Sequence, residues 1–135
     1  MSPDPRIEFA EKLFAAWSSG DMDAPESMFH PDGTLYDVVG GEYVGWPAIR
    51  AFFARGLKYW PDLVLKPVEF WTNDRGLALT WVMTATITDP AMHGPEFVGR
   101  VWRVEGMSEL HIEDGRIRRE VDYHDGGAKN RSLGL

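Results

Sequence analysis

From Leu63 to His124 the chain reads almost without pause as β-strand, and its helical patterns all come before that run. Segments 63–72, 77–88, 97–113 and 117–124 are rich in β-branched and aromatic residues, which fit a pleated, half-buried surface. Turn chemistry separates them at Asn73-Asp74-Arg75-Gly76, at Asp89 to Gly94, and at Glu113-Asp114-Gly115-Arg116. Strands this long must bury one face, and the preceding helices are the elements available to cover it. The order predicts an α+β fold, with helices packed on one face of a bent, mainly antiparallel sheet. No repeat, low-complexity stretch or long linker divides the chain, so residues 1–135 read as a single domain.

Three N-terminal helices are expected. Asp4-Pro5 supplies a capping side chain followed by proline at the first helical position, and Ile7, Ala10, Leu13, Phe14 and Trp17 then share one helical face. Asp23 is placed to cap a second, short helix through Pro25, Met28 and Phe29. His30-Pro31-Asp32-Gly33 has the composition of a turn, with His30 in solvent. Thr34 to Val39 reads as a short strand broken by Gly40-Gly41. Trp46-Pro47 opens the third helix, which presents Ile49, Phe52, Phe53 and Leu57 to the core and ends at Trp60-Pro61-Asp62. Gly99 and Gly106 mark bulges or bends in the third long strand, and the tail from Gly126 is glycine-rich and polar.

Composition narrows the partners. The chain has 135 residues and a net charge of −7. An acidic surface repels phosphate backbones and anionic lipids, so neither nucleic acid nor a membrane is an expected partner. No apolar run approaches the roughly 20 residues of a membrane helix, and no basic segment followed by an apolar one marks a leader. Cysteine is absent, which excludes disulfides and thiolate chemistry and suits a reducing, cytoplasmic setting. No glycine-rich phosphate loop follows a strand, and the histidines and aspartates fall into no familiar ligand spacing. No cofactor and no metal are therefore expected.

Three stretches together resemble the SnoaL-like polyketide cyclase branch of the nuclear-transport-factor-two-like superfamily. They are Trp17 to Asp21 (WSSGD) with Phe29 to Gly33 (FHPDG), Gly45 to Phe53 (GWPAIRAFF), and Gly106 to Asp125 (GMSELHIEDGRIRREVDYHD). The resemblance implies a cone-shaped domain whose curved sheet and helices enclose a pocket. It also implies a homodimer joined through the outer sheet face, here carrying Arg119, Tyr123 and His111.

The same resemblance points to site residues. The closing Asp-Tyr-x-Asp motif places an inward-facing general acid/base at Asp122. Alternation on the last strand puts Arg118, Glu120, Asp122 and His124 on one face and Ile117, Arg119, Val121 and Tyr123 on the other. A carboxyl in an apolar pocket has its pKa raised toward the range where it can take and return a proton. Asp37 falls where ketosteroid isomerases of this superfamily carry their general base, but their oxyanion-hole donors fall on Leu13 and Ser108. Limonene epoxide hydrolase, a related fold, ends in the same motif; its partner Arg and Asp are missing from Leu79 to Met83. His124 is placed to tune Asp122, and His93 to reach a substrate carbonyl from the loop between the long strands. His111 is expected to pair with Glu109 or Glu113 in a dimer interface.

Tyr36, Trp17, Phe14, Phe53, Trp60, Trp81, Ser108 and Leu110 are the expected substrate-binding side chains, with Tyr36 a candidate donor beside Asp37. The combined expectation is a cofactor-independent acid/base enzyme acting on a small hydrophobic or polyketide-like molecule by aldol-type cyclisation, isomerisation or a related addition or ring opening. The alternatives are a non-catalytic binding module of the same fold and an epoxide hydrolase-like activity with a non-standard site.

Overall fold

A computed structural model describes residues 4–135. Helix α1 (Pro5–Trp17) begins as expected, with the Asp4 carboxylate accepting from the Arg6 N–H at 2.9 Å. Its buried stripe is Ala10, Leu13, Phe14 and Trp17. Ser18 closes the helix and ties it to the sheet, its hydroxyl donating to the Phe14 carbonyl at 2.8 Å and accepting from the Leu65 N–H at 2.9 Å.

The expected second helix is only a 3-10 turn, Glu26–Met28. Two α-helices, not three, therefore precede the long strands. Phe29 already belongs to strand β1 (Phe29–Asp37), so the predicted turn at His30 to Gly33 lies inside a strand. The turn chemistry acts as a bulge instead. In the parallel pairing with the last strand, Phe29 faces Ile117 and Thr34 faces Arg119, so extra residues are absorbed between those two positions. Gly33 allows it: a Cβ there would press on the carbonyls of Ile117 and His30 at 2.9 and 3.0 Å. His30 is engaged too, its ring within 2.6 Å of the Glu113 carbonyl.

Gly40-Gly41 does break the strand, and a further short strand, β2 (Gly41–Val44), follows it. Helix α2 (Trp46–Tyr59) buries Trp46, Ile49, Phe53 and Leu57. Strands β3 (Val64–Asn73), β4 (Gly76–Thr86), β5 (Val101–Glu113) and β6 (Arg116–His124) match the expected run. Between β4 and β5 lie a short helix, α3 (Pro90–His93), and a 3-10 turn, Pro95–Phe97. Gly99 is thus a loop residue with φ +90° rather than a bulge in β5. The polar tail also folds: α4 (Ala128–Ser132) brings Leu133 into the core, and the Leu133 carbonyl accepts from Arg100 at 3.1 Å.

The sheet is mixed and open, in the order β2-β1-β6-β5-β4-β3. All neighbours are antiparallel except β1 and β6, which run parallel. That one parallel pair carries β1, from before the long strands, to the side of the last strand. It sets residues 34–37 beside residues 119–122. Helix α1 packs on β3 and β4, and α2 packs on β1 and β2. Between the two helices and the sheet the core opens into a cavity.

Candidate active site

The cavity holds about 300 Å³ and is walled by side chains from every layer. Phe14 and Trp17 come from α1, Phe52 and Phe53 from α2, and Leu65, Trp81 and Met83 from β3 and β4. Trp17 sits edge-on to Phe53 with centroids 4.7 Å apart. Into this apolar lining project Ser108, Glu120, Asp122, His124 and Asp37. Strand alternation explains the grouping: Glu120, Asp122 and His124 are successive inward positions of β6, with Asp37 on β1 and Ser108 on β5 opposite Asp122.

Asp122 is held from β5. Ser108 Oγ donates to Asp122 Oδ1 at 2.6 Å, a length typical of a hydroxyl on a carboxylate. Ser108 is fully buried, and it accepts from Trp81 Nε1 at 2.8 Å, so its own proton is free to point at Asp122. Trp81 finds room because Gly106 lies opposite it and has no side chain to meet the indole. Asp122 is half-buried and lines the cavity. Desolvation raises its pKa, against the lowering pull of Glu120 and Ser108.

Glu120 is the residue that sequence reasoning left out of the site. It is only 2% exposed, lines the cavity and feels the charge of Asp122. Burial above all, and then the Asp122 charge, push its pKa well above the ordinary glutamate value. Of the two, Glu120 is pushed up further, and Asp122 is the one that receives the Ser108 donor. The signal was present in the alternation that set Glu120 on the face of Asp122. Its depth was not, because a Glu followed by Val, Asp and Tyr looks like an ordinary exposed strand residue.

Asp37 and His124 form the second pair. His124 Nε2 lies 2.9 and 3.1 Å from the two Asp37 oxygens, and both side chains are 13% exposed. Asp37 Oδ1 also accepts from the backbone N–H groups of Val39 (2.9 Å) and Gly40 (2.8 Å). Desolvation pulls the Asp37 pKa up more than any other single cause. His124 and the two backbone donors together outweigh it, and the net shift is downward. The hydrogen bond to Asp37 raises His124 despite its partial burial. The result is a His–carboxylate pair whose members favour each other's charged forms, beside a carboxyl pair whose pKa values burial pushes up.

Other predicted residues lie elsewhere. Tyr36 alternates away from Asp37 onto the outer face, under the Arg119 guanidinium at 5.8 Å from the ring centre, so it is no donor to the cavity. His93 bonds Asn130 of α4 at 3.1 Å and is absent from the lining, because the folded tail claims it. Trp60 packs edge-on to Trp102 with centroids 5.2 Å apart, and Leu110 is fully buried behind Glu120; neither lines the cavity. His111 does reach Glu109, at 3.6 Å, within one chain. Phe14, Trp17, Phe53, Trp81 and Ser108 are at the cavity wall as expected. Among the described residues, no three His, Asp or Glu side chains are grouped to hold a metal ion, and no helix is long and apolar enough to cross a membrane.

Comparison with known proteins accords with this fold. The family model for the SnoaL-like domain matches residues 10–120. The chain belongs to the SnoaL-like domain family. No curated protein matches it in sequence. Solved structures share the fold at low identity. IdmH from Streptomyces antibioticus, described as a candidate polyketide cyclase, is 17% identical with a TM-score of 0.85, over 98% of this chain and 100% of that one. A candidate polyketide cyclase from Acidithiobacillus ferrooxidans is 16% identical with a TM-score of 0.82, over 99% and 98%. A hypothetical protein of ketosteroid isomerase-like fold from Catenulispora acidiphila, in complex with trimethylamine, is 19% identical with a TM-score of 0.81, over 95% and 93%. Within the SnoaL-like family, then, this chain carries a cavity with three carboxyls and one histidine at its polar end.

Proposed function

We propose that this SnoaL-like protein is a cofactor-independent acid/base enzyme that moves a proton on a small hydrophobic, polyketide-like substrate. The observation that carries the reading is Asp122: a carboxyl of raised pKa, aimed by Ser108 at 2.6 Å into an apolar cavity. Removing a proton beside a carbonyl needs a base of matched pKa within reach, held away from water. Asp122 takes that proton and returns it at a new position. Aldol-type cyclisation, isomerisation and related ring openings all reduce to this transfer. Asp37 and His124 assist as the charged pair that balances the carboxyls.

The test uses a ketone of suitable size. In D₂O, 2-tetralone is expected to exchange its activated hydrogens faster with the protein than without it, read by proton NMR. Asp122→Asn is expected to lower that rate at least a hundredfold. Exchange that is unaffected by Asp122→Asn overturns the assignment; tetralone binding without exchange favours a binding module.

We also infer a homodimer formed through the outer sheet face. Arg119 pairs there with Glu42 at 3.2 Å, and the Tyr123 hydroxyl donates to Glu109 at 3.2 Å. Tyr123 is 43% exposed, which leaves a mixed polar and aromatic surface suited to a wet interface. Light scattering giving the mass of one chain would refute it.

A further inference from the structure

Of the described residues that line the cavity, only Val39 and Gly40 are exposed, Val39 by 54%. A residue that borders both the cavity and the solvent stands at the mouth, so the turn 38–40 between β1 and β2 forms one side of the entrance. That turn is fixed from within. Asp37 Oδ1 accepts from the backbone N–H groups of both mouth residues, and Asp37 is itself bound to His124. Phe52 of α2 meets the turn. It lines the cavity and is half-buried, and a Cβ at Gly40 would come within 2.7 Å of its Cε1, so ring and turn already touch. Tyr43 of β2 does not line the cavity, yet it holds this contact together. Its ring stacks on Phe52 with centroids 4.5 Å apart and 22° between the planes, and its hydroxyl donates to the Gly40 carbonyl at 2.6 Å. The Arg55 guanidinium lies 5.7 Å from the Tyr43 ring centre.

We propose that Phe52 sets the girth of the molecule that can enter the cavity, and that Tyr43 is the residue that positions it. The turn cannot yield without breaking the hydrogen bonds of Asp37, so Phe52 is the side of the mouth on which a thicker molecule must push. The stack on Tyr43 opposes that displacement, because offset-stacked rings attract beyond the area they bury. A flat bicyclic body passes, and the same body with groups standing out of its plane is held back. Inside, Phe14, Trp17 and Trp81 decide how tightly the ligand is held, whereas Phe52 decides how fast it arrives. This inference rests on reading the cavity as the substrate pocket, and it adds selection by shape to that reading.

The test compares the binding of 2-tetralone and 4,4-dimethyl-2-tetralone to the full chain, followed by stopped-flow quenching of tryptophan fluorescence. Trp17 and Trp81 line the cavity and report its occupation. The two methyl groups stand above and below the bicycle, so the ketones differ in girth and share a carbonyl. In the wild type the dimethyl ketone is expected to associate about tenfold more slowly than 2-tetralone. Phe52→Ala is expected to remove that difference. It should raise association and dissociation of the dimethyl ketone by the same factor, so that its Kd stays within about threefold. Tyr43→Leu, on the edge strand β2, is expected to speed both steps by about threefold, and it carries the test if Phe52→Ala does not fold. Phe14→Leu, deep in the wall at 2% exposure, is expected to change Kd through dissociation alone. Equal association of the two ketones in the wild type, a difference that survives Phe52→Ala, an effect of Phe52→Ala confined to dissociation, or no binding of 2-tetralone overturns the proposal. These rates need no proton transfer. Entry as expected with no exchange of either ketone therefore sinks the acid/base reading alone, and exchange through Asp122 with equal entry rates sinks the role of Phe52 alone.

Discussion

Asp37 and Asp122 stand opposite each other where β1 and β6 pair in parallel. Two carboxylates on adjacent strands of one buried face repel, and neighbours resolve the conflict by treating them differently. Asp37 receives His124 and two backbone N–H groups, which hold it ionised. At Asp122 desolvation outweighs the donors and raises the pKa. Pairs of titratable groups pushed in opposite directions are how one site supplies both an acid and a base.

The Asp37–His124 pair makes stability depend on pH in a defined window. The lowered Asp37 contributes above its unfolded value, near 3.9, and that share is lost as pH falls through its folded value. The raised His124 contributes below its unfolded value, near 6.5, and that share is lost as pH rises through its folded value. Both shares are present in full between about pH 4 and 6.5. His124→Gln is expected to cost about 1–2 kcal/mol at pH 5.5 and clearly less at pH 9, measured by urea unfolding at both. An equal cost at both would mean that ring packing against Trp81, 6.0 Å away, matters and the charge does not.

Glu120 carries the opposite sign. Its folded pKa lies above its unfolded one, so its favourable share is complete below about pH 4.3 and lost as pH rises through the folded value. Glu120→Gln should match the wild type at acid pH and exceed it in alkali, by about 1.4 kcal/mol per unit of upward shift. Thermal unfolding across pH 4 to 9 reads this directly. Parallel curves for the two proteins would show that Glu120 is not held protonated.

Much of this fold was legible in the chain. The cap at Asp4-Pro5, the helical stripe to Trp17 and the long alternating strands are local signals, and local physics decided them. What was not legible arose from distant contacts. The 29–33 segment has turn residues, yet pairing with β6 keeps it in the sheet as a bulge. The tail is mostly polar, and of its two leucines Leu133 is the one that folds into the core while Leu135 stays exposed. At the site, strand alternation grouped Asp122 with His124 and Glu120, but the partner of each came from other strands. Asp37 lines the cavity and Tyr36 does not, since adjacent strand residues face opposite ways.

Ser108→Ala separates the aim of Asp122 from its presence. Ser108 lowers the Asp122 pKa, so its loss should raise it further and move the acidic limb of ketone exchange, where Asp122 gives up its own proton, to higher pH. Trp81 Nε1 also loses its acceptor, at a cost of about 1–3 kcal/mol. Titration of Asp122 by carbon NMR in both proteins checks the shift. An unchanged titration would mean that Ser108 only fills space.

Gly106→Ala tests whether the whole relay depends on one missing side chain. Gly106 faces Trp81 on β4 and His124 on β6, and an added Cβ would overlap the Trp81 ring. The backbone there is not in the left-handed region, so alanine strains nothing locally and its effect is wholly steric. The indole must move, and it cannot move without breaking its 2.8 Å bond to Ser108. Overpacking of this kind costs about 1–3 kcal/mol. Two changes are therefore expected together: a loss of stability in that range by urea unfolding, and an upward shift of the Asp122 titration like that of Ser108→Ala. Combining Gly106→Ala with Ser108→Ala should then shift the titration no further, because both act through one hydroxyl. Additive shifts would instead place Gly106 on a separate route to Asp122, through the ring of His124.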